Sequence, residues 1–341
     1  MNFASDNWAG ATQAVMAAVA RHNVGATPAY GADELTAAVT RRFAEIFEID
    51  VAVHFTATGT AANSLSMAAL QRPGGLVFCS ADAHVHNDEY GATEFLTGMK
   101  LVPVPSPAGI ITPGALAAML ERYPPDGRTG PAVALTLTNS TECGTVYDPA
   151  QIQALTDLAR ARGMAVHVDG ARFANAVAAT GASPAELTWK SGVDLMSFGG
   201  TKNGCLGAEA IVVFDTTRVG DLQVIRQRAG HVVSKARFVA AQFEGYFADK
   251  GWIETARHAN TMAARLSEGI RRSNSARLAW ESQANEVFPI LSKTIIARLR
   301  AAGATLHEWP VEGVGVDEDC VRLVTSFATS EAEVDRLLSL L

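Results

Sequence analysis

Four short segments of the chain carry residue types that could do chemistry at the end of a β-strand. In TATGTAAN, residues 56–63, an apolar run ends and a helical pattern begins in small residues. The backbone N–H groups of Gly59, Thr60 and Ala61, with the hydroxyl of Thr58 or Thr60, could hold a phosphate at the positive end of a helix. The plainer reading is a strand-to-helix turn with a threonine cap. HVDGAR, residues 167–172, brings Asp169 to a strand end before a glycine turn, where a carboxylate could hold a proton on a ring nitrogen or simply cap a helix. SFGGTKNG, residues 197–204, brackets Lys202 with glycines, so that the amine could form an imine or be an ordinary solvated loop lysine. DAHVHNDE, residues 82–89, offers His84 and His86, either of which could stack on a flat ring or move a proton. Glu89 could orient one of them. His84, His86 and Asp88 also admit a metal-ligand reading, but no HExxH spacing and no further histidine cluster supports zinc, and no metal is expected.

Together these segments supply a phosphate cradle, a partner for a ring nitrogen, an imine-forming amine and a stacking imidazole. That set is what pyridoxal 5'-phosphate requires of a protein.

The elements that must position these residues follow from hydrophobic period. Apolar runs at 51–56, 75–79, 100–104, 133–138, 165–168, 195–198 and 210–214 alternate with helical patterns at 59–70, 151–162 and 173–180. This alternation predicts an α/β fold with a large doubly wound, mostly parallel sheet, whose ligands sit outside the carboxyl ends of the strands. Residues 219–272 read as largely helical. NEVFPIL, TLHEWP and CVRLVTSF then read as three short strands among helices at 292–302 and 330–341, a small C-terminal α+β domain. The expected divisions are an N-terminal arm over 1–30, a large cofactor-binding domain over 31–235 and the small domain over 236–341. A helix over 32–47 is expected to pack on the small domain or on a neighbouring subunit.

Composition narrows the class. The 341 residues are 48% hydrophobic and 18% charged, which excludes a disordered or collagen-like chain. The net charge of −7 is spread along the chain, so a nucleic-acid partner is not expected. The longest apolar runs are strand-length, so no membrane span is expected. Cys79, Cys143, Cys205 and Cys320 are far apart with no CxxC pair, and the N-terminus has no basic patch followed by an apolar run; both features fit a reduced, cytoplasmic setting.

The order phosphate turn, ring stacker, aspartate and lysine matches the large domain of aspartate-aminotransferase-like enzymes, fold type I of the pyridoxal-phosphate enzymes. More specifically, the chain resembles the low-specificity L-threonine aldolase group of the β-eliminating lyase branch, from Phe3 to the C-terminus. The likeness is carried by HVDGAR, by SDN at 5–7, AYG at 29–31, TGTAAN and RLVT at 322–325. It implies retro-aldol cleavage of threonine, allo-threonine and related β-hydroxy-α-amino acids to glycine and an aldehyde. It further implies Lys202 as imine lysine, Asp169 as ring-nitrogen partner and His84 as stacker, with Thr58, Gly59 and Thr60 on the phosphate. Arg172 would serve both cofactor and substrate. Ser5 and Arg322 would join it on the substrate carboxylate, with Tyr30 and His86 nearby. Arg228 and Lys235, in RQRAGHVVSKAR, would reach a neighbouring subunit's cofactor, so a homodimer or homotetramer with shared sites is implied.

The chain departs from the family pattern at three places. The stretch DGRTGPAVAL lacks a second histidine found in several relatives, Ala4 stands where an arginine is common, and NSTECGTVY differs from the usual asparagine-threonine-histidine form. The base for the β-hydroxyl is therefore open between His84 and His86, with His84 preferred. The alternatives on the same cofactor site are a phenylserine-preferring aldolase, β-elimination, racemisation and transamination.

Overall fold

The computed structural model describes residues 1–125 and 128–341. Asp126 and Gly127, which open the histidine-free stretch DGRTGPAVAL, lie outside the described residues.

Seven strands form the main sheet: β1 (Ala52–Thr56), β2 (Leu76–Ser80), β3 (Lys100–Val104), β4 (Ala132–Thr138), β5 (Ala165–Gly170), β6 (Leu195–Gly199) and β7 (Glu209–Val213). Their spatial order is β1-β7-β6-β5-β4-β2-β3. The pairs from β3 through β6 are parallel, as the alternating pattern predicts. β7 is the exception, antiparallel to both β1 and β6. It follows β6 by a short connection rather than a helix, and only an antiparallel neighbour can be reached that way.

Helices cover both faces. Thr58 caps helix Gly59–Ala69, its Oγ1 accepting from the Ala61 N–H at 3.1 Å. Asp148 and Gln151 form a reciprocal capping box on helix Pro149–Ala161. Two helices not anticipated from the period, Gln13–Arg21 and Pro113–Arg122, are likewise started by threonine caps, Thr12 and Thr112. Helix Glu34–Phe47 packs against β6 and helix Arg237–Phe247. Its Phe43 meets Phe198 of β6 at 5.2 Å and Phe243 and Phe247 at 5.2 and 5.0 Å, all edge-on. Such aromatic contacts are each worth about 0.5–1.5 kcal/mol beyond burial itself.

The apolar core under the sheet continues past residue 235, taking in Val239, Phe243, Tyr246 and Phe247 of helix Arg237–Phe247 and Trp252 and Ala256 of helix Gly251–Arg272. The far end of that 22-residue helix, from Met262 to Ile270, belongs to a second core with Phe3, Val287, Leu291, Val321 and Leu337. The two cores therefore divide within one helix. The second is roofed by β8 (Ala276–Leu278), β9 (Glu286–Val287), β10 (Pro289–Ser292), β11 (His307–Glu308) and β12 (Glu318–Val324). β8 was not expected from sequence; Phe288 kinks NEVFPIL into β9 and β10, which pair with the same strand β12. The N-terminal residues join this body, with Phe3 N–H donating to the Thr305 carbonyl at 3.0 Å. Among the described residues no helix is long and apolar enough to cross a membrane.

Candidate active site

The carboxyl ends of β4, β5 and β6, the start of helix Gly59–Ala69 and the β6–β7 turn surround a cleft of about 260 Å³. Thr58, Gly59, Thr60, His84, Asp169, Arg172 and Lys202 all line it. These seven residues come from segments spread over more than 140 positions of sequence.

β5 is buried along its whole length and ends in Asp169. Inside the strand, His167 bridges its neighbours: Nδ1 lies 2.8 Å from Thr136 Oγ1 on β4 and Nε2 lies 3.0 Å from Ser197 Oγ on β6. Burial pushes its pKa down to about 4, so it is a neutral strut. Asp169 is both a turn cap and a cleft residue. Its Oδ1 accepts from the Ala171 N–H at 3.0 Å, while Oδ2 accepts from Asn63 Nδ2 at 2.7 Å. An ionised carboxylate has room for about four hydrogen bonds, so two bonds leave capacity toward the cleft.

Asn63, last residue of TGTAAN, makes a link that sequence reasoning missed. The same Nδ2 also donates to Glu89 Oε1 at 2.9 Å, and that oxygen lies 2.9 Å from His84 Nδ1. Asp169, Asn63, Glu89 and His84 thus form one hydrogen-bonded chain. The bond to Glu89 raises the His84 pKa, outweighing the opposing effect of burial. Glu89 orients His84 as expected.

Lys202 sits on the turn Thr201–Asn203 and is half-buried. Asn203 pins that turn, its Nδ2 donating to Tyr246 Oη at 2.8 Å and to the Trp252 carbonyl at 2.7 Å. Gly199, just before it, passes so close to Ala171 that a Cβ would lie 2.6 Å from the Ala171 carbonyl oxygen. A side chain there would push the Lys202 turn away from Asp169.

Arg172, which lines the cleft, is already engaged by internal carboxylates. Its Nε and Nη2 donate to Asp6 at 2.8 and 3.0 Å, and its Nη1 lies 3.4 Å from Glu286. Arg322 approaches the same Glu286 from the small domain at 3.7 Å, its guanidinium 5.4 Å from the Trp309 ring centre. Burial raises the Glu286 pKa against the pull of both arginines. The planar fork of Arg172, expected to clamp a substrate carboxylate, therefore already holds one internal carboxylate.

Ser5, Tyr30, His86, Arg228, Lys235 and Arg322 are not among the residues lining the cleft of this chain. Ser5 Oγ accepts from the Asn7 N–H at 3.1 Å, and Asn7 itself faces the cleft. Tyr30, His86, Arg228 and Lys235 are exposed. Two acids that sequence reasoning did not single out do line it. Glu142 is pushed up to about 7 by burial and by the Asp169 carboxylate, and Glu209 to about 7 chiefly by burial. Glu142 lies in NSTECGTVY, whose departure from the family form was its one sequence signal. Among the described residues no group of three or more His, Cys, Asp or Glu is arranged to hold a metal ion.

Known proteins resemble this chain over most of its length. The β-eliminating lyase family model matches residues 2–293. A low-specificity L-threonine aldolase of Pseudomonas aeruginosa is 41% identical over 312 residues, covering 91% of this chain and 90% of the relative. One from a Pseudomonas species is 37% identical, covering 98% and 95%. The solved threonine aldolase of Leishmania major superposes with a TM-score of 0.93 at 28% identity, covering 99% of this chain and 98% of its own. Sheet order, cleft position and these likenesses agree on the fold type I architecture, and the chain belongs to the β-eliminating lyase family.

Proposed function

We propose that this lyase binds pyridoxal 5'-phosphate in the cleft and cleaves L-threonine, L-allo-threonine and related β-hydroxy-α-amino acids to glycine and an aldehyde. The observation that carries the reading is the convergence of Lys202, Asp169, His84 and the Thr58–Gly59–Thr60 turn on one cleft. The names of the two Pseudomonas relatives support threonine as substrate and lend nothing to a phenylserine preference.

The donor set fits the cofactor. When bound, pyridoxal phosphate supplies an aldehyde that condenses with amines and a conjugated ring that takes up the electron pair of a bond broken at Cα. Lys202 provides the amine that holds it. Asp169, with lone pairs free toward the cleft, keeps the ring nitrogen protonated. His84, fixed by Glu89, would stack on the ring. The first N–H groups of helix Gly59–Ala69 have no intrahelical acceptor, and with Thr58 they take the phosphate. Arg172, which lines the cleft, would take the substrate carboxylate and so orient Cα, with Arg322, Ser5, Tyr30 and His86 as the further substrate contacts. Arg228 and Lys235 act on the site of a second copy, so the working form is a homodimer or homotetramer, and its setting is the cytoplasm.

The test is an assay of purified protein with the cofactor. Visible absorbance, borohydride reduction onto Lys202, and glycine plus aldehyde from threonine and allo-threonine are expected. Lys202→Ala should remove both the absorbance and the turnover. Ammonia plus a keto acid would instead assign β-elimination, and an unchanged Lys202→Ala variant would overturn the site.

A further inference from the structure

We propose that Glu142 is the base that takes the β-hydroxyl proton of the substrate. This deepens the aldolase reading above and rests on it.

Cleavage requires a group that accepts a proton from the hydroxyl on Cβ, and the stretch before β4 lacks a histidine for it. His84 is the imidazole that lines the cleft, but its Nδ1 is held by Glu89, and that bond raises its pKa and so favours the protonated ring over a free base. Glu142 has the missing geometry. It is held in the His84 segment, Oε1 accepting from the His84 backbone N–H at 2.7 Å. Its Oε2 is buried and has no hydrogen-bond partner, although the residue lines the cleft. A buried carboxylate oxygen left without a donor is costly, and a substrate hydroxyl would satisfy it. Glu209, a further acid of the cleft, is instead bonded into the Lys202 turn through the Thr201 N–H at 3.4 Å.

The charged and titratable groups around Glu142 come from every neighbouring element. They are His84, Asp169 at the end of β5, Glu286 on β9, Arg172, Cys79 of β2, and Cys143 and Tyr147 of its own segment. Burial and Asp169 outweigh the rest and bring the acid to about 7, where it can lose and regain a proton near neutral pH.

The step balances. The hydroxyl proton goes to Oε2, the electron pair left on oxygen closes the aldehyde carbonyl, and the Cα–Cβ bond breaks with its pair remaining at Cα. A proton from water reaches Cα and Glu142 returns its own to water, so no oxidant or reductant is needed.

Glu142→Gln preserves size and the acceptor for His84 N–H, which makes it the decisive variant. With L-threonine we expect kcat to fall about 10²-fold or more, KM to change little, and the rising limb of kcat/KM near neutral pH to vanish. Glu142→Asp should restore the limb and part of the rate. Cofactor absorbance should match wild type, and exchange of the glycine α-proton in D2O, which involves no β-hydroxyl, should fall much less than cleavage. A Glu142→Gln protein with wild-type kcat and an intact limb would overturn the proposal, as would a loss of absorbance in step with rate. Failure of the wild-type protein to release aldehyde would defeat the aldolase reading itself, a distinguishable result.

Discussion

Arg172 donates two parallel hydrogen bonds to Asp6, from Nε at 2.8 Å and Nη2 at 3.0 Å, with the two side chains only 8% and 2% exposed. The pair ties the end of β5 to the N-terminal arm, and Asn285 of the small domain donates to the same Asp6 oxygen at 3.0 Å. Three parts of the chain meet at one carboxylate. Burial alone would raise the Asp6 pKa, but Arg172 and Lys202 lower it below the usual carboxylate value.

Removing that carboxylate leaves a buried guanidinium short of its main partner. Asp6→Ala should destabilise the protein by about 3–5 kcal/mol, the cost typical of breaking a buried pair from one side. Urea unfolding at neutral pH measures it. A loss below about 1 kcal/mol would mean that Glu286 alone satisfies Arg172.

The His84–Glu89 contact makes a pH prediction with a definite sign. Because Glu89 raises the folded pKa of His84 above its unfolded value, the contribution of the charged pair is fully present below about 6.5 and is lost as pH rises through the folded value. Glu89→Gln should lower the His84 titration midpoint, followed by NMR of the imidazole carbon-bound protons. An unmoved or higher midpoint would refute the assignment of the shift to this bond.

Gly144 locks the Glu142 segment to the small domain. It has φ +71°, and a Cβ would lie 2.4 Å from the Glu286 carbonyl oxygen. Its own carbonyl accepts from the Gln283 and Ala284 N–H groups at 2.7 and 2.9 Å. Gly144→Ala combines left-handed strain with a backbone clash, and about 2–4 kcal/mol of stability should be lost. A thermal midpoint equal to wild type would show that the segment can move aside freely.

Much of the site was legible because its signals are local. Thr58 before a helix of small residues, Asp169 closing an apolar strand and Lys202 among glycines each follow from a few adjacent residues, and each lines the cleft. β7 was read as a strand, but its reversed direction was not, since period reports which face a side chain takes and not the direction of pairing. Helix Glu34–Phe47 was found, but its aromatic partners Phe198, Phe243 and Phe247 were not, because an amphipathic stripe states that a face will be buried without naming the partner.

The sequence by itself determined the α/β alternation and set a small-residue turn, Asp169, His84 and Lys202 at strand ends, because these are written in neighbouring residues. Only the tertiary structure decided that Asn63 joins Asp169 to Glu89, 106 and 26 positions away, and that Arg172 answers to Asp6 across 166 positions. It likewise made ordinary glutamates at 142 and 209 into groups that titrate near neutrality. Burial and Coulomb energy depend on what surrounds a charge in three dimensions, and no local pattern encodes that environment.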